Sequence, residues 1–176
     1  MSQPSALTNT SYVVLGFLAP HPHSGYEIKQ IADHSTRFFW QISYGQIYPE
    51  LKRLVELGLA ERESGSRGGR ARHLYRITDE GREVLAAWLA EPSDQPLEMR
   101  DEMLLKLFFS DHADLGVKRA IVQGLLRREE ATVAEFRSLQ KHANLRGSST
   151  LQVLMAGIRM HESFLQHLRD VEAELS

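Results

Sequence analysis

Between Leu59 and Ile77 the sequence abandons the helical period and alternates residue by residue, the two-residue period of a strand. In the second half of this stretch Leu74 and Arg76 fall on one side, His73, Tyr75 and Ile77 on the other. Ser64-Gly65-Ser66-Arg67-Gly68-Gly69 separates the segments Leu59–Glu63 and Arg72–Ile77. Such a run of turn formers joins two strands as a hairpin, here with a long basic tip. Helical spacing holds on either side of it. The chain is therefore read as mainly α, with one small sheet set among helices.

Three helical signals precede the hairpin. Thr8 to Ala19 holds a nearly unbroken apolar run (Val13, Val14, Leu15, Phe17, Leu18), expected to be buried on most sides. Pro20 and Pro22 end it. Ser24-Gly25-Tyr26-Glu27 has capping-box spacing and starts a second helix with Ile28, Ile31 and Ala32 inward. Ser43-Tyr44-Gly45-Gln46 repeats the signal for a third helix, which runs to Leu57 and stops at Gly58. Beyond the hairpin, Thr78 caps a helix with Asp79 and Glu80 in its positive first turn. Its expected core residues are Val84, Leu85, Trp88 and Leu89. Pro92-Ser93-Asp94-Gln95-Pro96 is linker chemistry, so the expected divisions are 1–91, a linker at 92–98, and 99–176.

The second part reads as helix only. A short apolar helix spans Arg100 to Ser110, and a long one runs from Asp114 to about Ala143. Gly147-Ser148-Ser149 ends it, and Ser149-Thr150-Leu151-Gln152 is a further capping-box signal. In the last helix Leu151, Leu154, Ile158, His161, Leu165, Leu168, Glu172 and Leu175 recur at spacings of three and four, a heptad seam with two polar members. A second stripe of Val153, Met160, Phe164 and Val171 lies beside it. So wide an apolar face predicts two neighbours, one in its own chain and one in a partner chain.

The formal net charge of −2 argues against a nucleic-acid partner until its distribution is examined. Residues 1–90 carry ten Lys/Arg against nine Asp/Glu, whereas residues 91–176 carry eleven against fourteen. Arg62 to Arg76 alone holds five arginines and one glutamate, concentrated around the Gly/Ser-rich turn. There is no cysteine, hence no disulfide framework or thiolate metal site. The apolar stretch Tyr12–Ala19 is too short and wrongly flanked for a signal peptide or membrane span. A cytoplasmic protein without membrane contact is expected.

Three helices followed by a basic hairpin make a winged helix-turn-helix, whose later helix enters the major groove of double-stranded DNA. At 100° per residue Ile47, Leu51, Leu54 and Gly58 share a narrow arc, the packed side of the third helix. The opposite arc holds Gly45, Gln46, Pro49, Lys52, Arg53 and Glu56, with Tyr44 and Tyr48 between. Gln46 suits a base edge, adenine being the usual match, while Lys52 and Arg53 suit phosphate oxygens. Pro49 removes the amide that would bond the Gly45 carbonyl, and a local kink at that glycine is expected.

Ser43-Tyr-Gly-Gln-Ile-Tyr-Pro-Glu-Leu-Lys-Arg-Leu54, Gly58-Leu59, Tyr75-Arg-Ile-Thr-Asp-Glu-Gly81 and Ser24-Gly-Tyr-Glu-Ile28 together resemble the PadR family of transcriptional regulators. From Met99-Arg-Asp-Glu-Met-Leu-Leu-Lys-Leu-Phe-Phe109 onward the chain is similar to the longer subgroup of that family, which includes virulence-gene activators. The resemblance implies a homodimer paired through C-terminal helices, usually a repressor, on an inverted repeat. It also implies release by a small aromatic or hydrophobic effector. Gly68-Gly69-Arg70-Ala71-Arg72 lacks the proline of the family's Gly-x-Pro-x-Arg wing, so wing contacts do not carry over unchanged.

Plainer roles stand beside these. Gln46 is either the reach-back partner of its capping box or a base contact. Tyr44 and Tyr48 either seal a helix interface or touch DNA. Arg67, Arg70 and Arg72, exposed on a Gly-rich hairpin, are expected at the DNA backbone or minor groove. Trp40, Trp88, Met160 and Phe164 are the effector-binding candidates, with core packing the competing role. His21 with His23, and His161 with His167, give no set of three or four metal ligands. No catalytic motif and no cofactor motif is present, so neither an enzyme nor a bound cofactor is expected. The alternative to a DNA-binding regulator is a protein-interaction module on a winged-helix scaffold that no longer binds DNA.

Overall fold

The computed structural model describes residues 7–67, 70–94, 96–142 and 148–176, with the side chains of 64–67, 70–72 and 142 outside that description. The chain forms two compact units, Met1–Gln95 and Pro96–Ser176. The first is a winged helix-turn-helix: α1 (Asn9–Leu18), α2 (Gly25–His34), α3 (Tyr44–Glu56), β1 (Ala60–Arg67), β2 (Arg70–Ile77) and α4 (Asp79–Ala90). Its core gathers Val14, Leu15 and Leu18 of α1, Ile28 and Ala32 of α2, and Ile47, Leu51 and Leu54 of α3 over Leu59, Ala60 and Ile77 at the hairpin base.

Local chemistry sets the helix ends. Glu27 Oε2 accepts the Ser24 amide and hydroxyl, each at 2.8 Å, and so fixes the start of α2. Gly58 follows α3 at φ 73°, a left-handed turn that glycine adopts without a Cβ penalty. There the Leu59 amide reaches the Leu54 carbonyl at 2.9 Å and the Gly58 amide reaches that of Val55 at 3.1 Å, the Schellman closure of a helix. Pro49 lies inside α3, which continues through it unbroken.

The hairpin is longer than its side-chain pattern. Pairing runs antiparallel from Ala60↔Ile77 to Arg67↔Arg70 and takes in Ser64, Gly65 and Ser66, which were expected in the turn. Ladder bonds use only backbone groups, so Ser and Gly join once the register is set. Gly68 and Gly69 lie outside the described residues. A second surprise is at the Pro20–Pro22 turn, where His23 and Tyr75 exchange backbone bonds of 3.0 and 2.9 Å. The segment between α1 and α2 thereby ties to the outer edge of β2.

α4 packs Val84 and Leu85 on the core, and Trp88 stacks on Tyr12 of α1 with centroids 4.7 Å apart. Leu89, expected in the core, is 70% exposed. The inward face of α4 ends at the aromatic stack, and a turn beyond Leu85 no core residue meets Leu89 among those described.

The second unit comprises α5 (Glu102–Phe108), α6 (Leu115–His142) and α7 (Ser149–Glu174). α6 and α7 run antiparallel: Arg119 donates to the Leu175 carbonyl at one end, and Gln140 meets Met155 at the other. The heptad seam of α7 faces α6, with Leu165 and Leu168 packed on Val122, Leu125 and Leu126. Its polar member His161 meets buried Glu129 at 2.6 Å, and Arg128 links that carboxylate to Asp101 at the start of α5. Arg128 holds the Asp101 carboxyl below its ordinary range, and pairing of this kind is what lets a carboxylate such as Glu129 stay buried. From the second stripe, Phe164 and Val171 join this core, while Val153 and Met160 are exposed.

A Cβ on Gly81 would lie 2.1 Å from the Leu59 carbonyl oxygen, whereas one on Gly16 would meet nothing within 4 Å. Gly81→Ala is expected to lower stability by about 1–3 kcal/mol, and Gly16→Ala to raise it by roughly 0.5–1 kcal/mol. Urea unfolding of the two variants checks the contrast; equal effects would show that Gly81 is not a close-packing site.

Candidate nucleic-acid interface

The burial of Ile47, Leu51 and Leu54, each with no exposed surface, fixes the rotation of α3. Each side chain contributes roughly 2 kcal/mol to that seating. Gly45, Gln46, Pro49, Lys52 and Glu56 are consequently turned to solvent. The Lys52 side chain is 80% exposed, with Glu56 beside it at 3.6 Å. A surface pair of that kind holds about 0–1 kcal/mol and yields readily to a phosphate.

Gln46 caps its own helix. The Ser43 amide donates to Gln46 Oε1 at 2.9 Å, and the Ser43 hydroxyl donates to the same oxygen at 3.1 Å. The reach-back role is thus in place, and Nε2 points away with no hydrogen-bond partner among the described residues.

Arg53 behaves differently from Lys52. It is turned partly inward, with Nη1 3.2 Å from Glu50 Oε1 and 3.5 Å from Ser11 Oγ. Ser11 is wholly buried on α1 and donates to Glu50 Oε1 at 2.6 Å. This three-residue link locks α3 to α1 beside the exposed ridge. Ser11 and Glu50 are not legible as partners in the sequence. Their signal was faint: a lone hydroxyl in an apolar run, and an acid three residues after inward Ile47.

Tyr44 and Tyr48 are 42% and 49% exposed and continue into an aromatic row with Tyr26 of α2. Ring centroids are 6.3 Å apart for Tyr26–Tyr44 and 6.2 Å for Tyr44–Tyr48. A Cβ on Gly25 would come within 2.6 Å of the Tyr48 ring, so glycine there lets Tyr48 lie flat on the first turn of α2. Lys29, paired with Asp33, sits 5.9 Å from the Tyr44 ring centre. Each tyrosine thus seals the α2–α3 contact with one face and presents the rest to solvent.

The side chains of Arg67, Arg70 and Arg72 lie outside the described residues; their backbones form the distal hairpin pairs. Lower down, Arg62 meets His73 at 2.9 Å and Arg76 meets Glu63 at 2.6 Å. Of the four effector candidates, Trp40 packs against the first core and Phe164 against the second. Trp88 is stacked on Tyr12, and Met160 is exposed. None of them lines the cavity of about 220 Å³ between the start of α6 and the end of α7, which is bordered by Arg119, Arg169 and Glu172.

A family model described as the transcriptional regulator PadR-like family matches residues 14–87, and one described as virulence activator alpha C-term matches residues 99–176. The chain is 33% identical over 126 residues to the negative transcriptional regulator PadR of Bacillus subtilis, a match spanning 71% of this chain and 69% of that protein. The crystal structure of Bacillus subtilis PadR in complex with operator DNA is similar in fold, with TM-score 0.86 at 24% identity over 94% of this chain and 98% of that one. The PadR-like transcriptional regulator BC1756 from Bacillus cereus gives TM-score 0.83 at 26% identity, over 95% and 98% of the two chains.

Removing the Ser11 hydroxyl takes from Glu50 the hydrogen bond that ties it to α1 and leaves the carboxylate to Arg53 of its own helix, so Ser11→Ala is expected to cost about 1.5–3 kcal/mol. Urea denaturation measures it, and a change below a few tenths would mean that the link does not hold α3.

Proposed function

The chain belongs to the PadR-like family of transcriptional regulators, and on that footing we propose that it is a DNA-binding, homodimeric repressor acting at an inverted-repeat operator. Members of this family regulate transcription and are not enzymes. The observation that carries the proposal is the outer arc of α3, where exposed Gln46, Pro49 and Lys52 stand opposite the buried Ile47, Leu51 and Leu54. A helix so presented fits the major groove, with Lys52 on phosphate, Gln46 on a base edge, and Tyr44 and Tyr48 along the groove wall. Arg53 keeps its guanidinium beside Glu50 and acts by holding α3 in place as well as by adding positive potential. Arg67, Arg70 and Arg72 on the hairpin extend the contact to the neighbouring backbone or minor groove.

Residues 1–91 form the DNA-binding part, 92–98 the linker, and 99–176 the dimerisation part. In support of pairing, the second unit leaves Leu105, Phe108, Phe109, Leu115 and Met160 at least half exposed, large apolar side chains that a partner chain would cover. The repressor sign is supported by the Bacillus subtilis relative, a negative regulator crystallised on operator DNA. A small aromatic or hydrophobic effector would find exposed apolar surface at Trp88 in the first unit and Met160 in the second, whereas Trp40 and Phe164 pack on the cores of their own units. No helix of the described residues is long and apolar enough to cross a membrane, which fits action in the cytoplasm.

The test is DNA binding at two salt concentrations. Full-length protein is expected to select a pseudo-palindrome with half-sites roughly 34 Å apart, and to lose about 10³-fold or more in affinity between 50 and 200 mM salt. Lys52→Ala should weaken binding to all sequences and reduce the log–log salt slope by about 1. Flat salt dependence would overturn the proposal in favour of a protein-interaction module.

A further inference from the structure

We infer that Gln46 reads guanine through its amide hydrogens, because Ser43 occupies the oxygen that a two-bond contact to adenine requires. The inference rests on the DNA-binding reading above and adds the base that this position selects. A backbone N–H can only donate, so the Gln46 atom 2.9 Å from the Ser43 nitrogen is the amide oxygen. That oxygen has two lone pairs, and the Ser43 hydroxyl takes the second at 3.1 Å. What remains for a ligand is Nε2, with two hydrogens and no acceptor beside them among the described residues. Gln46 is exposed, and Gly45 next to it carries no side chain to block approach.

The major-groove edges sort themselves against such a group. Adenine places the N7 acceptor next to the N6 donor, so a matching amide needs a free oxygen as well as a hydrogen. Cytosine presents a donor, which two amide hydrogens repel. Thymine offers O4 alone, flanked by its methyl group. Guanine offers N7 and O6 side by side, two acceptors for two hydrogens. The usual glutamine–adenine match does not apply here, since the capping box consumes the acceptor half of the side chain.

Gln46→Glu separates the two roles of the side chain. A carboxylate accepts both Ser43 bonds as the amide oxygen does, but has no hydrogen to give a base. Gln46→Ala, tested alongside, removes the same hydrogens without adding charge, and thermal unfolding of each variant confirms that it is folded. The full chain is used to select binding sites from randomised duplexes. Binding of the recovered site is then compared with versions carrying adenine or 7-deazaguanine at each guanine. Wild type is expected to show one guanine per half-site whose change to adenine costs about tenfold or more, and whose 7-deaza form costs several-fold. Both variants are expected to be indifferent to those changes at that position. Adenine selected where the variants lose preference would overturn the inference, as would guanine preference fully retained by either folded variant. A wild-type protein that selects no sequence would instead overturn the DNA-binding reading, and this inference with it.

Discussion

The rotation of α3 about its own axis decides what the first unit can do. Ile47, Leu51 and Leu54 fix that rotation by complete burial, and the helix cannot turn without lifting those side chains into water. Both ends are pinned as well: Ser43 and Gln46 close the N-terminal turn, and the Gly58 turn closes the other. Ser11, Glu50 and Arg53 add a polar lock on the α1 side, while Tyr48 on Gly25 adds a flat contact on the α2 side. The ridge from Gly45 to Lys52 is free because every other side of α3 is held.

The two polar arrangements near α3 have different uses. Arg53 is paired within the fold and works mainly as part of the lock, whereas Lys52, about 100° round the helix, stands in water beside a weakly held glutamate. In the second unit the Asp101–Arg128–Glu129–His161 chain joins α5, α6 and α7. A polar pair in a heptad seam favours one register over others, since a slip would strand a buried carboxylate.

What could be read from the sequence was local in kind. Capping boxes at Ser24 and Ser43 and the stop at Gly58 depend on residues three or four apart, so spacing reveals them. The inward arc of α3 and the seam of α7 follow from helical phase in the same way. The Ser11–Glu50 bond and the His23–Tyr75 bridge join residues far apart in the chain, and nothing in either short segment announces its partner. Hairpin length was underestimated because the side-chain alternation fades at Ser64, while the backbone ladder has no need of it. At Gln46 the capping role was legible, but that it occupies both lone pairs of the oxygen required coordinates.

On the proposed reading, the outer ridge of α3 lies in the major groove of the bound site. The chain has no cysteine, so Lys52→Cys supplies a unique thiol for an iron chelate that cleaves nearby DNA. Cleavage is expected within each half-site, in two clusters about one helical turn, roughly 34 Å, apart. A labelled protein that stays bound to its site but leaves these positions uncut would contradict it.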